Sequence, residues 1–218
     1  MKKSLAAAAL GVATLFSAQA MPLYAPTGPQ QNVAFSTVTS GGWSECFSSP
    51  YGQFGPSLAS IQSSCSGDLI MLAGAANGSN DIQLLAWARR EDVFFVTPDC
   101  SNQTHTANGS AWYFNLSCSM GFAPEGFGII QNSADTASST SFGLPQGDGG
   151  AARLSWHTGG GQLNGGWRVG LNDFLNGEPS GFTRYIFQAD AAPVPEPAGL
   201  ALTGVALALL AGARRRRV

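Results

Sequence analysis

After Lys3 the 218-residue chain contains no lysine, and charged residues of every kind make up only 11% of it. A chain so poor in cations lacks the basic patch on which nucleic-acid binding depends, so nucleic acid is not an expected partner. The missing lysine also means that the glycine run Thr158-Gly159-Gly160-Gly161-Gln162 is not a Walker phosphate loop. No G-x-S-x-G elbow offers a serine nucleophile. There is no C-x-x-C pair, and His105 and His157 stand alone, so the usual ligand spacing of a zinc site is missing. No motif calls for a metal or a cofactor.

Most of the cationic charge sits at the two ends. The first 20 residues begin with Lys2 and Lys3, continue as an apolar stretch from Leu5 to Phe16 and close on Ala18-Gln19-Ala20. That is the order of a secretory signal peptide, with Met21 as the expected mature N-terminus. At the other end, Ala198 to Ala213 is a run of 16 residues without a charge, followed by Arg214, Arg215, Arg216 and Arg217. As a helix the run reaches ~24 Å, short of a ~30 Å hydrocarbon core but able to span it with local thinning and snorkelling arginines. The arginines would stay on the cytoplasmic side and leave the preceding domain outside.

Val194, Pro195, Glu196 and Pro197, the apolar helix at 198–213 and the basic tail at 214–217 together resemble the PEP-CTERM sorting signal. The resemblance covers residues 191–218 and leaves the central domain unassigned. It implies recognition by an exosortase, a membrane cysteine transpeptidase, with cleavage near Pro195 to Pro197. Sec export machinery, a transient stay in the inner membrane, and delivery to the cell envelope, outer surface or extracellular matrix are implied with it. Association with exopolysaccharide and biofilm is implied as well.

Between these signals the charge balance changes. Removing Lys2, Lys3 and Arg214–Arg217 from the 11 basic residues leaves five, all arginine; removing Glu196 from the 13 acidic residues leaves 12, a net charge of −7. Four cysteines remain: Cys46, Cys65, Cys100 and Cys118. An even count in an exported chain predicts two disulfides. Three connectivities are possible, and the sequential pairs Cys46 with Cys65 and Cys100 with Cys118 are the first expectation.

Residues 21–31 are proline-rich and read as an extended lead-in to one domain at 32–190. Short apolar stretches follow, separated by Gly, Ser, Asn and Asp. They predict strands at 32–38, 68–75, 81–88, 92–98, 110–117, 126–132, 152–158, 166–173 and 183–189. Asn77-Gly78, Asn108-Gly109 and Asn164-Gly165-Gly166 supply turn chemistry. Residues 57–64 could instead form a helical turn or two, since Leu58 and Ile61 fall three apart, and 82–92 has helical propensity; the flanking turn residues favour a strand in the latter. Residues 133–150, rich in Ser, Thr, Ala and Gly, read as a long loop. The expected fold is an all-β antiparallel sandwich of about eight or nine strands.

Aromatics are the most suggestive functional set. Trp43, Trp112, Tyr113, Trp156 and Trp167 could present platforms to a glycan, or they could fill the core of the sandwich. Alternation places Trp112 and Phe114 on one face and Tyr113 on the other. Asp99, Glu125, Asp135 and Asp173 are the acids from which a glycosidase pair would be drawn, but they form no recognised motif. Ser155 and His157 share a strand face without a triad signature. Four Asn-x-Ser/Thr sequons, at Asn77, Asn102, Asn108 and Asn115, read as turn residues. The expected function is a structural or glycan-binding component of the extracellular polysaccharide layer, with a secreted carbohydrate-active hydrolase as the alternative.

Overall fold

The computed structural model describes residues 22–98, 104–126, 151–172, 175–177 and 181–191. The leader at 1–20 and the sorting signal from 192 onward lie outside them. The first half of the chain forms β1 (Gln30–Ala34), α1 (Phe35–Ser40), β2 (Ser44–Pro50), α2 (Leu58–Ser64), β3 (Leu69–Ala76), β4 (Asp81–Arg89) and α3 (Arg90–Val93). The second half forms β5 (His105–Ala107), β6 (Ser110–Phe114), β7 (Ser119–Pro124), β8 (Leu154–Gly159), β9 (Gln162–Val169) and β10 (Phe182–Ala189).

The strands form two five-stranded antiparallel sheets, ordered β1-β4-β3-β10-β2 and β5-β6-β7-β8-β9. Ile70, Leu72, Leu84 and Ile186 of the first sheet pack with Trp112, Phe114, Phe122 and Trp156 of the second in one buried cluster. The expected antiparallel β architecture is therefore present, with ten strands among the described residues. Burial explains why β3 reads as an unbroken apolar run: Ile70 and Leu72 face the shared core, while Leu69, Met71 and Ala73 face a second cluster on the other side of the sheet. That outer side is covered by Val38 of α1 and by Leu23 and Tyr24. The lead-in is packed onto the domain; the Tyr24 amide donates to Gly41 O at 2.9 Å.

A polar contact inside the core joins the two sheets. The Tyr51 hydroxyl, just beyond β2, accepts from Trp156 Nε1 at 2.8 Å and donates to Arg168 O at 2.9 Å. Cys46 of β2 is bonded to Cys65 beyond α2, as expected. Cys118 is also disulfide-bonded, and Cys100 lies outside the described residues.

Several expected elements differ. The stretch 32–38 is a strand only to Ala34 and then turns into α1, although Thr37, Val38 and Thr39 favour strands. Packing decides, because the helix buries Val38 completely and sets Phe35 edge-on to Tyr185 at 5.1 Å. The strand expected at 92–98 is replaced by α3 and an irregular segment. Residues 58–64 form the helix that the spacing of Leu58 and Ile61 allows, with Ser57 as its N-cap accepting from Ser60 N. The strand β2 is too rich in serine to stand out in the sequence; pairing with β10 and the Cys46 bond hold it in place. The strand expected at 126–132 lies almost wholly outside the described residues, and β7 precedes it. The glycine run at 159–161 is the turn between β8 and β9, with Gly160 and Gly161 at positive φ. It shifts the strand expected at 166–173 back to 162–169.

Candidate functional site

The side chains that most invited a ligand turn out to be interior. Trp43, Trp112, Tyr113, Trp156 and Trp167 are all buried, so none of the five forms a platform open to solvent. Each has a packing reason. Trp43 lies against Trp87 with centroids 5.9 Å apart and donates to Tyr24 O at 2.7 Å. Trp112 stacks at a tilt on Phe122 and donates to Ala107 O at 3.1 Å, within the core shared by the sheets. Trp156 donates to the Tyr51 hydroxyl. Tyr113, on the opposite face of β6 from Trp112 as alternation requires, donates to Leu154 O at 2.9 Å. Trp167 packs against the His157 ring at 5.3 Å. Large aromatic surfaces on strands buried between or behind sheets are worth more to folding than they would be exposed.

Arginine is buried as well, which the sequence did not reveal. Of the five arginines between the terminal signals, Arg153, Arg168 and Arg184 are almost fully buried. Arg184, on the interior strand β10, donates through Nε to Ser49 Oγ at 2.7 Å, through Nη2 to Gln53 O at 2.6 Å, and through Nη1 to Asn164 O. It thereby ties the loop after β2 to β9. Arg168 stands opposite Ser155 in the β8–β9 register. Arg153 differs, because its Nε and Nη2 make no hydrogen bond. Burial pulls the Arg153 guanidinium below its ordinary range; Tyr113 opposes the shift and the Arg168 cation adds to it.

The other expected residues are accounted for one by one. Glu125 is exposed, while Asp99, Asp135 and Asp173 lie outside the described residues. Ser155 Oγ is buried without a hydrogen bond, so it has no base to activate it. The sequon asparagines are turn residues where they are described. Asn108, at φ 45°, donates to Pro26 O and Trp87 O; Asn115 donates to Thr97 O; and Asn77 accepts from Thr183 Oγ1. Asn102 lies outside the described residues. The four sorting-signal residues Val194–Pro197 and the four arginines Arg214–Arg217 also lie outside them.

What remains at the surface is sparse. Two polar grooves, of about 250 and 280 Å³, share Ser66 and Gly67 at one end of the first sheet and are lined also by Asp68, Arg90, Gln188 and Asp190. Among the described residues the exposed aromatic rings are Phe54, 61% exposed, and Phe95, 50% exposed. Phe95 belongs to the segment expected as a strand. Because α3 ends at Val93 and the chain then leaves the sheet, the ring points away from the core and stacks on His105 of β5, with centroids 4.8 Å apart and planes 23° apart. His105 Nε2 donates to Asp92 Oδ1 at 2.5 Å. An aromatic ring, an imidazole and a carboxylate are thus brought together at the surface. Neither the spacing nor the apolar pattern announced the group, because it needs the helix α3 and the edge strand β5 side by side. No family model, curated protein or solved structure matches this chain.

Proposed function

We propose that the protein is exported through the Sec route, processed by an exosortase, and serves as a structural component of the exopolysaccharide layer at the cell surface or in the extracellular matrix. The observation that carries the reading is the Cys46–Cys65 disulfide. Such a bond persists outside the reducing cytosol. It occurs in a chain that also bears a leader-like start and a tripartite tail. In this reading residues 1–20 are removed on export, and Cys100 pairs with Cys118. The apolar stretch 198–213 holds the chain as a single transmembrane sorting helix in the inner membrane until the transpeptidase acts near Pro195 to Pro197.

A structural role is favoured over the hydrolase because the tryptophans expected as ligand platforms and three of the five arginines are committed to packing. Trp112, Trp156 and Arg184 join elements of the fold, and the polar grooves gather mixed charges without an aromatic wall. Expressing the full chain in cells that carry an exosortase tests the proposal. Replacing Glu196→Ala, or deleting Arg214–Arg217, is expected to leave the protein in the inner-membrane fraction. Unchanged release into the medium overturns it.

A further inference from the structure

We infer that Phe95, together with the His105–Asp92 pair beside it, is a contact site for a neutral, β-linked polysaccharide. The inference rests on the extracellular role proposed above and names the ligand class of the surface.

Three observations bear on it. First, the Phe95 ring is half exposed yet held in one place. Its amide donates to Asp92 O at 3.3 Å, and two residues on the Thr97 amide donates to Phe114 O at 2.8 Å while Asn115 Nδ2 donates to Thr97 O at 3.0 Å. A ring fixed by its backbone and by stacking on His105 loses little conformational freedom on binding. Second, polar groups lie at its edge. Asp92 and His105 are partly exposed, at 24% and 35%, and only Oδ1 of the carboxylate is taken up by the imidazole. Among the described residues Oδ2 has no donor and is left to accept from a hydroxyl. A pyranose in which the substituents are equatorial offers both halves of the match: a face of C–H groups for the ring and a rim of hydroxyls for the carboxylate. Third, the charge is wrong for a polyanion. With the terminal signals removed, five arginines stand against 12 acidic residues, and Arg153, Arg168 and Arg184 are buried. A purely apolar protein partner fits less well, since it would bury the Asp92 carboxylate without supplying a donor.

Phe54 provides the internal control. It is more exposed than Phe95 but, among the described residues, has no ring contact and no comparable His–Asp pair beside it. The full chain, purified in a detergent without a sugar headgroup, would be titrated with cellohexaose and with an alginate hexasaccharide. Saturable binding of cellohexaose in preference to alginate is expected. Phe95→Ala should weaken it by about tenfold, the loss of one central contact. Phe54→Ala should leave it unchanged, and Phe95→Trp should keep it. Failure to bind cellohexaose at roughly 10 mM, far weaker than a useful contact, overturns the inference. So does unchanged binding by Phe95→Ala, or a fall in melting temperature with binding intact, which would mean that the ring serves only to pack on His105. Processing by the exosortase should be unaffected by Phe95→Ala, so loss of sugar binding in a normally processed protein separates this site from the sorting route.

Discussion

Arg153 and Arg184 have the same side chain and nearly the same burial, and the structure treats them in opposite ways. All three guanidinium nitrogens of Arg184 donate to Ser49, Gln53 and Asn164, whereas Nε and Nη2 of Arg153 have no acceptor. A buried cation with satisfied donors costs much to disturb, and one without them costs stability by being there. Arg184→Met leaves three neutral acceptors without their donor and is therefore expected to destabilise the fold by about 3 kcal/mol or more, and Arg153→Met to be neutral or stabilising by up to about 2 kcal/mol. Urea denaturation of the two variants checks both; equal losses would contradict the distinction. Sequence gives no sign of it, because the acceptors of Arg184 come from segments far along the chain, and nothing local to Arg153, just before β8, marks the donors left without one.

At the scale of elements, the strands were legible where apolar residues crowd and were not where tertiary contacts decide. The run LIMLAGAA of β3 and the alternation of β10 stand out, while the serines of β2 do not. Phe94, Phe95 and Val96 have strand propensity, but Arg90 N donates to Asp68 O and starts α3 instead, which turns Phe95 outward. Close packing between elements also fixes particular small residues. At Gly166 on β9, an added Cβ would lie 2.1 Å from the Tyr51 ring, whose hydroxyl is held by Trp156 and Arg168 and whose carbonyl accepts from the Gly166 amide. The ring has no room to retreat. Gly166→Ala is expected to cost about 1–3 kcal/mol through overpacking, read as a lower thermal midpoint. At Gly78 in the β3–β4 turn nothing lies within reach of a Cβ, but φ is +76°, so alanine there should cost less and for a different reason, backbone strain.

For the molecule as a whole, the disulfide joins β2, an edge strand, to the end of α2, and closes a loop with a sequence separation of 19 residues. Crosslinking a loop of that length stabilises by about 3 kcal/mol, chiefly by restricting the unfolded chain. The exported protein carrying Cys46→Ser and Cys65→Ser together should lose about that much in equilibrium unfolding; an unchanged midpoint would show that β2 is held by its pairing with β10 alone. The sequence by itself determined the antiparallel β character and the turns at Asn77 and Asn108, because alternation and backbone freedom are local properties; it offered Cys46–Cys65 only as the first of three connectivities, and it placed at Asn164–Gly166 a turn that packing moved to Gly160. Tertiary structure decided the rest. Whether a tryptophan faces a ligand or the core, whether an arginine is solvated or enclosed, and which phenylalanine stands free beside a carboxylate depend on how the two sheets face each other. That follows from packing between residues that are distant in the chain, and no local pattern encodes it.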